Sequence, residues 1–181
     1  MERCRMIFSG SGGQGIITAA IIFAEAAVVH EGLNAVQSQS YGPEARGGAS
    51  RSDVIIADAD IWYPKVIEPN VLVCLTQEAY NKFSGLIRPN GLLLTDSHFV
   101  KQEKGVDATH VELNMYKMVM DKIGRPIVFN ICMLGALTKL TQLIKPESIM
   151  KVLENRIPAG FLGINKQALE IGFKMAENIE Q

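Results

Sequence analysis

Gly10, Gly12 and Gly15 stand at the G-x-G-x-x-G spacing inside Gly10-Ser11-Gly12-Gly13-Gln14-Gly15. A short apolar run, Met6-Ile7-Phe8, precedes them and a long apolar segment follows, the strand, turn and helix order that a phosphate-cradling loop requires. Without Cβ atoms the backbone reaches positive φ, and an anion can approach the free N–H groups at the start of the helix. The same glycines would also serve to pack that helix tightly on a sheet. A second stretch, Ser40-Tyr41-Gly42-Pro43-Glu44-Ala45-Arg46-Gly47-Gly48-Ala49-Ser50, is dense in turn formers and reads as a loop. It carries Arg46, with Arg51 just beyond it, against only Glu44. Arginine supplies a planar fork for phosphate or carboxylate. Tyr41 can stack on or hydrogen-bond a neighbouring group, and Gly42, Gly47 and Gly48 let the loop bend closely around it. Arg46 and Glu44 are equally suited to pairing with each other or with a partner protein.

Other chemistries lack their residues. Dinucleotide binding asks for an Asp or Glu about 20 residues after the glycines, at the end of the second strand. That strand, Ala35-Val36-Gln37-Ser38-Gln39-Ser40, offers amides and hydroxyls, and Glu31 comes too early. Cys4, Cys74 and Cys132 are isolated within or beside apolar segments, and His30, His98 and His110 are scattered, so no zinc or iron–sulfur ligand spacing is present. With 18 basic and 19 acidic residues and no basic block, nucleic acid is not an expected partner. The apolar run from Ile16 to Val29 is too short and interrupted to span a bilayer, and Met1 leads almost at once into the first strand. The expectation is a cytoplasmic protein without a membrane partner.

The elements that must position the two loops follow from periodicity. At 181 residues the chain is expected to form a single domain, residues 1–181. The segment from Gly15 to His30 reads as a helix ended by Gly32. Thr18 and Glu25 are its main polar side chains, so it should be covered on nearly every side, by a partner protein or by its own fold; the expectation carried forward is a partner. Strands are read at Arg51 to Ile56, Val71 to Leu75, Leu92 to Asp96 and His110 to Leu113, with Ile61-Trp62-Tyr63 as a short returning strand that makes the sheet mixed at one edge. Helices follow at Gln77 to Phe83, Tyr116 to Ile123, Ile131 to Leu143 with Asn130 as N-cap, Pro146 to Asn155, and from Asn165 onward. The fold class is therefore α/β, a three-layer sandwich with a mostly parallel sheet and a Rossmann-like first β-loop-α unit.

With these blocks placed, the chain resembles the gamma subunit, or gamma domain, of the 2-oxoacid:ferredoxin oxidoreductases. The likeness rests on Gly10 to Gly15, on Ser38 to Arg51, on Tyr63-Pro64-Lys65-Val66 and on Gln77-Glu78-Ala79-Tyr80, with weaker echoes at Asn130, Leu134-Gly135-Ala136, Asn165 and Ala168-Leu169. The middle block looks most like the branch acting on 2-oxoglutarate. The resemblance implies a reaction in which a 2-oxoacid, coenzyme A and oxidised ferredoxin give acyl-CoA, carbon dioxide and reduced ferredoxin. It implies thiamine diphosphate, magnesium and iron–sulfur clusters in companion alpha, beta and ferredoxin-like delta chains, because this chain has no G-D-G…N-N block and no cluster ligands. It assigns this chain no catalytic residue and no metal. Its own share would be to shape the enzyme and help hold coenzyme A, through Gly10, Ser11, Gly12, Gly13, Gln14 and Gly15 together with Ser40, Tyr41, Gly42, Pro43, Glu44, Arg46, Gly47, Gly48 and Arg51.

Overall fold

The computed structural model describes residues 3–40, 48–102 and 105–179. The strands are β1 (Cys4–Gly10), β2 (Asn34–Ser40), β3 (Ser50–Ala57), β4 (Val71–Cys74), β5 (Gly91–Asp96) and β6 (Ala108–Leu113). Between and after them come the helices α1 (Ile16–Glu31), α2 (Gln77–Phe83), α3 (Met115–Lys122), α4 (Phe129–Thr141), α5 (Pro146–Arg156) and α6 (Ala159–Glu177). The strands form one sheet in the order β2-β3-β1-β4-β5-β6. The strands β1, β4, β5 and β6 run parallel, and β3 is antiparallel to both β1 and β2.

Alternation along each central strand builds two cores. Met6, Phe8, Val54, Ile56, Val71 and Val73 enter the larger one, beneath α1, α3, α4, α5 and α6. Ile7, Ile55, Leu72, Cys74 and Leu93 enter the smaller one, covered by α2 and by chain around Val66 and Val100. The α/β sandwich and its mostly parallel sheet match the expectation from periodicity. The sheet is mixed at one edge, as expected, but the reversal there comes from β3, which lies between the edge strand β2 and β1 and is antiparallel to both. Ile61, Trp62 and Tyr63 do not form a strand. Both sides of β3 are already paired along its length, so a returning strand has no free edge beside it.

The apolar helix α1 is covered by its own fold rather than left for a partner. Eight of its residues are buried, among them Ile16, Ile22 and Phe23. Its two carboxylates are used by α5: Glu25 pairs with Arg156, and Glu31 Oε1 accepts hydrogen bonds from the Lys145 amide (2.9 Å) and the Ser148 hydroxyl (2.6 Å) at the α5 N-terminus. Only its outer C-terminal corner, Val28 and Val29, is markedly exposed among its large apolar side chains. Gly32 closes the helix in the left-handed conformation (φ 68°), as its position predicted.

The closest helix pair is α4 with α6. A Cβ on Gly135 would fall on the Leu169 carbonyl oxygen, and one on Gly172 on that of Cys132. The two backbones therefore touch, which leaves the N-terminal ends of both helices side by side near the glycine loop.

Candidate functional site

Strand register brings together two motif blocks that lie apart in the chain. Ser50 stands opposite Gly10, and Ser40 opposite Arg51. The glycine loop and the turn-rich block therefore leave the same end of the sheet, on adjoining strands. Tyr41, Gly42, Pro43, Glu44, Arg46 and Gly47 lie outside the described residues; Gly48 re-enters at φ 114°, a conformation suited to glycine.

That end of the sheet is also where the topology switches. The chain leaves β1 toward α1 on one face and β4 toward α2 on the other, which opens a crevice beyond the carboxyl ends of β1 and β4. Gln14 spans it. Its Nε2 donates to the Leu75 carbonyl (3.2 Å), and its Oε1 accepts from the Ser11 amide (2.8 Å). A Cβ on Gly10 would fall on that oxygen, so a larger residue there would make Gln14 move aside. Gly12 and Gly13 are exposed, with open space where a side chain would be.

The first bond inside α1 runs from the Ala19 amide to the Gly15 carbonyl (2.9 Å), and no side chain caps the helix start. Amides 16 to 18 thus lack intrahelical partners and carry the positive end of the helix dipole, with no acidic residue in the first turn to offset it.

Beside this helix start lies a cleft of about 380 Å³. Ile127, Val128, Ile157, Phe161 and Ile164 line it with apolar surface, and Gly13, Gly15 and Thr18 form its wall on the glycine-loop side. Asn130, 7 % exposed, stands where the two meet. Its Nδ2 donates to the Gly15 carbonyl (3.2 Å). The acceptor on Gly15 sets the amide orientation, and it leaves Asn130 Oδ1 buried without a hydrogen-bond partner. Sequence reasoning cast Asn130 as the N-cap of its helix. In the structure Pro126 starts a 3-10 turn, Pro126–Val128, so the chain is already winding when it reaches Asn130 and the side chain is free to cross to α1. Proline four residues upstream was the available signal; the crossing itself, over 115 residues of chain, had none.

Arg51 is engaged within the chain. Its Nε and Nη2 meet both carboxylate oxygens of Asp53 (2.6 and 2.9 Å), and Nη2 also donates to the Val66 carbonyl (2.6 Å). Asp53 Oδ2 in turn accepts from the Val66 amide (3.1 Å). This fork fastens the segment between β3 and β4 to the sheet. At the end of β5 the buried Asp96 accepts from the amides of His98 (2.9 Å) and Tyr116 (2.8 Å), tying β5 to α3. Burial pushes its carboxyl above the ordinary aspartate range, against the pull of those amides.

The cysteine thiols are pushed up by burial, to about 11 at Cys4 and about 12 at Cys74 and Cys132. Among the described residues no three His, Cys, Asp or Glu side chains come together as a metal site. No described helix is long and apolar enough to cross a membrane.

The family model for pyruvate ferredoxin/flavodoxin oxidoreductase matches residues 5–175. The chain belongs to that family. The 2-oxoglutarate synthase subunit KorC of Methanocaldococcus jannaschii is 44 % identical over 173 residues, 94 % of this chain and 92 % of that protein. A keto/oxoacid ferredoxin oxidoreductase gamma subunit from Geobacter sulfurreducens superposes with a TM-score of 0.91 at 40 % identity, covering 98 % of each chain. The 2-oxoglutarate:ferredoxin oxidoreductase of Magnetococcus marinus, with 2-oxoglutarate, coenzyme A and succinyl-CoA bound, shares the fold over 98 % of this chain and 32 % of its own, with a TM-score of 0.88 at 21 % identity. The same architecture thus occurs both as a separate gamma chain and as part of a longer chain.

Proposed function

We propose that this chain is a single-domain gamma subunit of a 2-oxoglutarate:ferredoxin oxidoreductase, and that its own task is to help hold coenzyme A beside companion chains that carry thiamine diphosphate, magnesium and the iron–sulfur clusters. The companions are alpha and beta chains and a ferredoxin-like delta chain, ferredoxin docks through the complex, and the assembly is cytoplasmic. Full-length similarity to a 2-oxoglutarate synthase subunit supports the substrate. The observation that carries the coenzyme A reading is the juxtaposition at one sheet end: an uncapped helix start, an apolar cleft, and a buried amide oxygen with no partner.

Each part matches a piece of the ligand. Amides 16 to 18 and exposed Gly12 and Gly13 suit a phosphate, and the cleft suits a planar or aliphatic group. Asn130 borders the cleft, and its buried Oδ1 has no partner, so a turn of the side chain lets it accept from an N–H, of which coenzyme A has several. A helix start contributes about 0.3–1 kcal/mol to anion binding, whereas micromolar affinity needs about 8 kcal/mol. The glycine loop is therefore one contributor among several, and Arg46 supplies the charged fork now that Arg51 is committed to Asp53. Ser40, Tyr41, Gly42, Pro43, Glu44, Gly47 and Gly48 belong with Arg46 to the same coenzyme A-binding block of the sequence.

The test is steady-state kinetics of the reconstituted complex. Asn130→Ala should raise the KM for coenzyme A about 2- to 10-fold, the equivalent of one neutral hydrogen bond, and Arg46→Glu at least about 10-fold, with the KM for the 2-oxoacid unchanged. An unaltered coenzyme A KM in both variants would leave the chain a purely architectural role. Turnover by the lone chain would overturn the proposal.

A further inference from the structure

A second surface, at the opposite end of the sheet from the glycine loop, has no role in the coenzyme A reading. Arg3, Arg5, Lys65 and Arg88 converge with Tyr63, Ile67 and Glu68 on an open groove of about 490 Å³. Arg5 is the second residue of β1 and Gly10 its last, so the two sites are about 17–20 Å apart along the strand. Four cationic side chains face one carboxylate there, on a chain whose net charge is −1. The ion pairs Arg51 with Asp53, Lys117 with Asp121 and Arg156 with Glu25 do not draw on these four cations.

Two of the groove's lining side chains, Tyr63 and Ile67, are apolar and exposed, and Trp62 precedes Tyr63 in the chain. Trp62 is 88 % exposed, Ile67 65 % and Tyr63 55 %. These side chains are not on a floppy strap. Val66 between them is buried, its amide held by Asp53 and its carbonyl by Arg51. At the far end Asn70 exchanges bonds with Arg5 in both directions, at 2.7 and 2.9 Å, and the Arg88 amide donates to the Pro69 carbonyl (3.2 Å). Before Val66, Ile61 packs on the smaller core and the Ser38 hydroxyl donates to the Pro64 carbonyl (3.4 Å), so the backbone carrying Trp62, Tyr63, Lys65 and Ile67 is fastened at several points and loses less ordering entropy on contact than a free loop.

From this combination we infer that the groove and these exposed side chains dock an acidic surface segment of a companion subunit, with Trp62 and Ile67 as apolar anchors and Arg3, Arg5, Lys65 and Arg88 as charge partners. An inorganic anion has no use for three large exposed apolar side chains, whereas Trp, Tyr and Arg together are the residues that dominate protein interfaces. The charge excess specifies the partner's sign. The inference rests on the reading of this chain as a subunit, and adds which face meets its neighbour and what chemistry that neighbour presents.

The experiment measures assembly of the full chain with its co-expressed companion subunits by native mass spectrometry and binding titration, alongside hydrogen exchange of residues 61–68. Trp62→Ala should weaken association about 10- to 100-fold. Lys65→Glu with Arg88→Glu should weaken it at least about 10-fold and flatten its dependence on salt between 50 and 300 mM. All three residues lie at the surface, and unchanged unfolding curves would show that the variants fold. Residues 61–68 should become protected only in the complex. Assembly of both variants within twofold of the wild-type chain, with no protection of residues 61–68, overturns the docking surface while leaving the subunit reading intact. Failure of the wild-type chain to assemble overturns both. Pyrophosphate binding by the free chain that is lost in the charge-reversed variant, with assembly unaffected, would reassign the groove to a small anion.

Discussion

Gly15→Ala tests the coupling between the glycine loop and α4 most directly. Gly15 sits at φ 71°, and a Cβ built on it would lie 2.5 Å from Asn130 Nδ2 and 2.9 Å from Cγ. Two costs follow. Holding an L-residue in the left-handed region costs about 1–2 kcal/mol. Asn130 must also swing away, giving up its bond to the Gly15 carbonyl, worth about 1 kcal/mol. The expected destabilisation is about 2–3 kcal/mol, a fall in Tm of about 5–10 °C for a chain of this length. Gly12→Ala is the control: nothing lies within 4 Å of its missing Cβ, so the loss should stay within about 0.5 kcal/mol. Urea unfolding of both variants supplies the comparison. Combining Gly15→Ala with Asn130→Ala should cost less than the sum of the two, because the collision disappears with the side chain. Equal stability of the Gly15→Ala and Gly12→Ala variants, or strict additivity in the double variant, would refute the claim that Gly15 is required by Asn130.

Two further predictions concern the fold that supports the site. Gly172→Ala should destabilise the chain by about 3 kcal/mol, because a Cβ there meets the Cys132 backbone, which cannot move without separating α4 from α6; thermal unfolding reads this, and a loss under about 1 kcal/mol would show that the helices have room. Asp96 bears on pH dependence. Burial raises its carboxyl pKa in the folded chain, so the folded state binds the proton more tightly than the unfolded state, and its contribution to stability falls as pH rises through the native pKa and recovers on acidification. Relative to Asp96→Asn, the wild-type chain should gain stability as pH is lowered from 7 toward 4; parallel curves for the two in urea titrations at several pH values would contradict that sign.

Much of this architecture is written in local pattern. Continuous apolar runs such as Val71–Cys74 mark doubly covered strands, Gly32 ends α1, and Pro146 starts α5, because period and cap chemistry act over a few residues. The glycine loop was legible in the same way, as a strand, turn and helix in immediate succession. What crosses between elements was not. The place of β3 between β2 and β1, and with it the adjacency of the two loops, depends on pairing partners that leave no mark in either segment. Asn130 and Arg51 show the same limit within the site. One looked like a cap and the other like a ligand fork, and their roles changed because Gly15 on another helix and Asp53 with Val66 on a returning segment reached them first. Residue types thus determined what groups this chain can offer, a glycine-rich turn before a helix and arginine forks. Only tertiary packing decided which donors and acceptors were left unspent, because a hydrogen-bonding group is available to a ligand only when the fold has given it no other partner.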